Sequence, residues 1–167
     1  MVIKRFEVCS FNTRGRDNNL WTIDNEQLVK FCYGIKNGGL LCNSKSGLMR
    51  QKLCIENNVI IRQDDVVCKL TNPELVVVTV GENVVKLFCD VLCMDRFTYD
   101  ELMSGNSYLG IRSLSRFSRP NSDGFVINDI VKLITFDLTP NGLAKEWNDV
   151  INSDQENLLL EARNLLD

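Results

Sequence analysis

Arginines at 112, 116 and 119 stand with Tyr108 and Phe117 in one stretch, Tyr-Leu-Gly-Ile-Arg-Ser-Leu-Ser-Arg-Phe-Ser-Arg-Pro, and positions 102–122 around them carry no acidic side chain. Guanidinium groups neutralise phosphates and aromatic rings stack on bases, so this mixture suits contact with single-stranded RNA. Lys4, Arg5, Arg14 and Arg16 make a second basic group that folding could bring beside the first. The candidate nucleic-acid contacts are therefore Arg112, Arg116, Arg119, Tyr108, Phe117, Arg14 and Arg16. The competing account is a solvated edge strand and loop whose arginines discourage unwanted pairing. A sequence pI near 5.1 weighs against a general nucleic-acid binder, so RNA as a partner must rest on a local patch.

Other chemistries are excluded more sharply. The chain has no histidine, which removes Ser-His-Asp and Cys-His mechanisms and any zinc site that uses imidazole. Seven cysteines, at 9, 32, 42, 54, 68, 89 and 93, are spread evenly and include no CxxC pair. Odd, scattered thiols read as reduced side chains that pack as small hydrophobes, so neither a metal nor a cofactor is expected. None of the eighteen asparagines begins an N-x-S/T sequon, in keeping with a chain that stays in the cytoplasm. Gly105 to Ser113 resembles a phosphate-binding loop only on the surface, since Arg112 stands where lysine is needed and no apolar strand leads into Gly105. Asp64-Asp65 falls between two apolar runs and reads as a turn rather than a metal-binding pair.

The C-terminal stretch suggests association. Residues 1–122 carry 16 basic and 13 acidic side chains, whereas residues 123–167 carry 3 and 9. In that acidic tail Trp147 lies on an apolar helical stripe, and Leu158, Leu159, Leu165 and Leu166 give a following helix more apolar width than one contact needs. These five are the candidate interface of a homo-oligomer. Trp21, the other tryptophan, suits a core anchor or an exposed stacking platform.

The elements that must position these residues follow from periodicity. Val2 to Phe11 is rich in β-branched and aromatic residues and predicts a strand. Asp24 with Gln27 predicts a helix start, continued by Leu28, Phe31, Cys32 and Ile35 up to Gly38-Gly39. Leu48, Met49, Leu53 and Cys54 suggest a second short helix over positions 46–56. Val59 to Arg62, Val66 to Leu70, Leu75 to Val80 and Val84 to Val91 predict a four-stranded meander, with turns at Gln63-Asp64-Asp65, Thr71-Asn72-Pro73-Glu74 and Gly81-Glu82-Asn83, although Val84, Phe88, Val91 and Leu92 also suit a helix over 84–94. The third run has almost no polar alternation and should be buried on both faces. Thr98 to Met103 predicts a helical turn capped by Thr98, and Tyr108 to Leu114 and Phe125 to Leu138 predict strands. On such a strand Arg112 and Arg116 share one side, with Leu114 between them.

These expectations describe one domain over residues 1–167 of α+β class: a mostly antiparallel sheet (central meander about 58–93, further strands about 2–11 and 108–138), an N-terminal helix and a helical, acidic C-terminus over about 140–167. No apolar run is long enough for a transmembrane helix. Alanine, proline and histidine, all with C-containing codons, are depleted, a bias seen in several RNA virus groups and AT-rich parasites. The functional expectation is a non-enzymatic protein, of viral type and cytoplasmic in an infected host cell, that self-associates and binds a macromolecular partner. The alternative is an RNA-binding protein using the arginine and aromatic patch. A histidine-free enzyme stands third.

Overall fold

The computed structural model describes residues 1–14, 19–45, 59–79, 84–116 and 124–141, apart from the side chain of position 79. In chain order these form β1 (Val2–Phe11), β2 (Asn19–Thr22), α1 (Asn25–Gly38), β3 (Leu40–Ser44), a 3-10 turn (Gln63–Asp65), β4 (Val66–Thr79), β5 (Val84–Cys93), α2 (Arg96–Ser104), β6 (Ser107–Arg116) and β7 (Val126–Pro140).

The expected α+β class is overturned. The described residues are mostly strand, joined in one curled, mixed sheet with two α-helices. The sheet runs β1-β5-β4-β3-β7-β2, with β6 also on β7. β1–β5, β5–β4, β4–β3 and β6–β7 are antiparallel, whereas β2 and β3 both pair with β7 in parallel. The chain opens on a strand and not on a helix, and α1 serves as the connection between the two strands parallel to β7. Parallel partners need such a crossover, and their pairing joins residues about a hundred positions apart, which local periodicity does not encode. The helical C-terminus, the second short helix over 46–56, and Trp147, Leu158, Leu159, Leu165 and Leu166 lie outside the described residues. Among the described residues, no helix is long and apolar enough to cross a membrane.

The meander is also corrected. Val59 to Arg62 forms no strand, and the run expected over 66–70 and the described part of the next, 75–79, belong to one strand, β4. Asn72-Pro73 makes a bulge within it instead of a turn. Asn72 takes a positive φ of 51°, and the register to β5 slips between Thr71 and Glu74. Proline has no N–H to give a ladder, and β3 reaches β4 only from Val66 to Leu70, so Pro73 sits where that N–H has no strand to serve. Nor is the valine run buried on both faces: Val76, Val77 and Val78 are exposed, Val77 to 60%. Residues 84–93 form the strand β5, with Val85, Leu87, Cys89, Val91 and Cys93 buried on one face.

The core lies inside the curl. Phe11, Leu28, Ile35, Leu70, Leu87, Val91 and Phe136 pack there, and Phe31 of α1 meets Phe136 edge to face at 6.0 Å. Asp24 caps α1 by accepting from the Gln27 N–H at 2.9 Å, and Gly39 closes it at φ 77°, a conformation that disfavours any Cβ. The cap of α2 is Asp95, which accepts from Thr98 N–H at 2.7 Å, and not Thr98, whose side chain is buried.

Candidate functional site

β6 and β7 are the longest antiparallel pair, running from Ser107↔Pro140 to Arg116↔Asp129. Two register shifts, at Arg112/Ser113 and Leu114/Ser115, each leave an extra residue on β7, Ile134 and Val131, and bend that strand, while β6 keeps its alternation from Arg112 to Arg116. Arg112 ends up 3% exposed, while Arg116 is exposed.

The Arg112 guanidinium is held on three sides. Its Nε and Nη2 donate to the two carboxylate oxygens of Asp137 at 3.0 and 2.7 Å, a bidentate pair with an acceptor that is 0% exposed. Nη2 also donates to Asn43 Oδ1 at 3.0 Å, and Nη1 donates to the Ile60 carbonyl at 2.6 Å. Asn43 in turn donates to the Arg62 carbonyl and accepts from the Arg62 N–H, at 2.8 and 2.9 Å. Lys45 Nζ stands 4.0 Å from Asp137 and is itself buried. Arg112 thus ties β6 to β7, β3 and residues 60–62, and its donors are turned to protein acceptors instead of to a phosphate in solvent. Sequence reasoning named Arg112 for another role and missed Asn43, Lys45 and Asp137. Asp137 did carry a signal: a lone carboxylate in Leu133-Ile-Thr-Phe-Asp-Leu, an otherwise apolar strand, requires a buried cation.

The other candidates are dispersed. Arg116 lines a shallow groove whose walls also carry Asp24 and Asp129. Phe117, Arg119 and Arg16 lie outside the described residues. Arg14 and Tyr108, however, are brought together. They share one cleft of about 290 Å³ with Trp21 of β2, residues Phe6 to Ser10 of β1 and residues Leu109 to Ile111 of β6. The cleft is the seam of the curled sheet, where β1 and β6 face each other after pairing on their other sides with β5 and β7. Arg14 lies over the Phe125 ring, 5.2 Å from its centroid, and also bridges to Leu20 beside Trp21. Glu7 in the wall is paired with Lys86 at 3.3 Å.

Five of the described thiols, Cys9, Cys32, Cys68, Cys89 and Cys93, offer little nucleophilic character. Cys9, Cys32, Cys42, Cys68, Cys89 and Cys93 carry no disulfide. Burial pushes Cys32 up to about 11 and Cys89 up to about 12, and raises Cys9 and Cys93; in Cys68 the hydrogen bond to Cys42 adds to burial in the same direction. Among the described residues, no three cysteine or carboxylate side chains converge as a metal site. Compared with known proteins, the chain matches no family model, no curated protein and no solved structure.

Proposed function

We propose that this is a non-enzymatic binding protein that pairs with a second copy of itself and, as a dimer, engages a macromolecular partner. The observation that carries the reading is an exposed apolar face where β1 begins, β5 ends and α2 starts. Val2 and Leu92 are cross-strand partners, Met1 and Cys93 exchange backbone hydrogen bonds, and Met94 and Phe97 follow. Met1, Val2, Leu92, Met94 and Phe97 are all exposed, Phe97 to 67%. Contiguous apolar surface of this kind, with methionines that adapt to a partner, marks an association site.

A second copy suits the face because its charged rim is self-complementary. Arg96 and Asp100 lie one turn apart on α2, 3.0 Å from each other and both exposed, so a two-fold axis between facing α2 helices sets each copy's Arg96 near the other's Asp100. The leucine-rich tail, read above as an interface, supplies a second contact in this proposal. The non-enzymatic part rests on the absence of histidine, the buried thiols with raised pKa values and the mutual engagement of the buried charges. Unpaired thiols and the missing sequons support a reducing, cytoplasmic setting, and the codon bias supports a viral source.

Sedimentation equilibrium of the full chain tests the dimer. Wild type should associate at tens of micromolar, and Phe97→Asp should weaken association at least tenfold while leaving the circular dichroism spectrum unchanged. A wild type that stays monomeric at that concentration, or a Phe97→Asp chain that associates as well as wild type, overturns the proposal.

A further inference from the structure

The geometry points to the seam cleft between β1 and β6 as a binding site for one nucleotide unit, a planar base carrying a phosphate. This goes beyond the association face, which lies at the Met1 end of β1, whereas the cleft is lined by positions 6–10. Its size sets the scale: about 290 Å³ is at the small end of sites that enclose small molecules, room for one nucleotide and not for a folded partner.

Three features fit that ligand. Trp21 and Tyr108 are both half-buried in the wall, so each presents ring surface on which a base can stack with little loss of side-chain freedom. Arg14 stands at the rim, exposed, with its guanidinium steadied by the Phe125 ring, which suits it to a phosphate. The walls are strand edges, whose N–H and C=O groups alternate along the gap and match the donor and acceptor edge of a base. Two further residues shape the site. Glu7 brings a negative charge to the wall, but Lys86 pairs with it at 3.3 Å. Gly110 lets Thr139 and the Tyr108 ring pack closely against its bare Cα: a Cβ there would come within 2.9 Å of Thr139 Oγ1 and 3.4 Å of the Tyr108 ring. The same chemistry has two sources, a free nucleotide or one nucleotide of a single strand, and both belong in the test.

Calorimetric titration of the full chain with adenosine, guanosine, cytidine and uridine monophosphates, and separately with a ten-nucleotide single-stranded RNA, reads the site. At least one titrant should bind below about 1 mM at low salt. Arg14→Gln, at an exposed position that should not disturb folding, should weaken that binding roughly tenfold, and with the RNA it should flatten the salt dependence by about 0.7 in logarithmic slope. Tyr108→Ala should weaken it roughly tenfold with the slope unchanged, provided circular dichroism shows the native fold. Arg116→Gln, in the other groove, should change it less than twofold. Equal affinity for monophosphate and RNA assigns the site to a free nucleotide, and RNA at least tenfold tighter assigns it to a single strand; both uphold the proposal. No binding of any titrant below about 1 mM overturns it, as does binding indifferent to Arg14→Gln.

Discussion

Arg112 and Arg5 both reach from one strand to a carboxylate on another, but one does so in the interior and the other on the surface. Arg112 and Asp137 are 3% and 0% exposed, and Asn43, the Ile60 carbonyl and Lys45 stand around them as further partners. Arg5 pairs with Glu74 where the two side chains remain 54% and 48% exposed, and water competes for each charge. Beside that pair, Asp90 of β5 takes the Arg5 backbone N–H at 3.2 Å on one oxygen and the Asn72 side-chain amide at 2.8 Å on the other. Arg5 and Asn72 are the two strand residues with positive φ, 60° and 51°, so this carboxylate clasps a bulge on each flanking strand. The same functional groups therefore do different work. In the interior, every member must be present because an abandoned charge has no water to turn to. At the surface, the clasp steadies local backbone shape and each member is dispensable.

The largest test of that contrast is Arg112→Leu. Leaving Asp137 without its bidentate partner should cost about 3–5 kcal/mol in urea unfolding, and Arg112→Leu with Asp137→Leu should recover only part of it, because the stranded carboxylate is gone but the buried Lys45 ammonium loses its partner. A single-variant loss below about 1 kcal/mol would erase the distinction between the two regions. Asn43→Ala comes next. It removes an acceptor from Arg112 and both contacts to the Arg62 backbone, and should cost about 1–3 kcal/mol by the same assay.

Smaller effects belong to the surface. Arg5→Ala breaks an exposed pair and should cost no more than about 1 kcal/mol, shrinking further in 1 M salt. A loss as large as that of Arg112→Leu would show that the clasp, and not the knot, governs the sheet. The smallest change is in pH response. The Asn72 amide and the Arg5 N–H hold the Asp90 carboxyl below its ordinary value, so its contribution is present above the unfolded pKa of about 3.9 and disappears as pH falls through the lower folded value. The difference in unfolding midpoint between wild type and Asp90→Asn should accordingly be constant at neutral pH and shrink below about pH 4. A difference that grows on acidification contradicts the assigned sign.

The contrast also marks what was legible. Asp24 and Gln27 sit three residues apart, and β5 shows its buried face in the alternation of Val85, Leu87, Cys89 and Val91, because such signals depend on neighbours within a turn or a pleat. Asn72-Pro73 misled for a physical reason: the same two residues that make a turn between strands make a bulge within one, and the choice depends on whether a partner strand continues past them. The apolar run after them predicted burial on both faces, whereas Val76, Val77 and Val78 are exposed.

Sequence by itself determined that histidine chemistry is absent, that the thiols are scattered and that β-forming runs dominate the middle of the chain. It also named Arg14 and Tyr108 as candidate nucleic-acid contacts and offered Trp21 as a core anchor or a stacking platform. Tertiary structure alone decided which arginine is interior and which aromatics share a cleft. Alternation tells which side chains lie on the same side of a strand, but not whether that side faces solvent or a covering segment. That is settled by long-range contacts, 25 residues apart for Arg112 with Asp137 and 69 for Arg112 with Asn43, and by the curl that brings the edges β1 and β6 face to face.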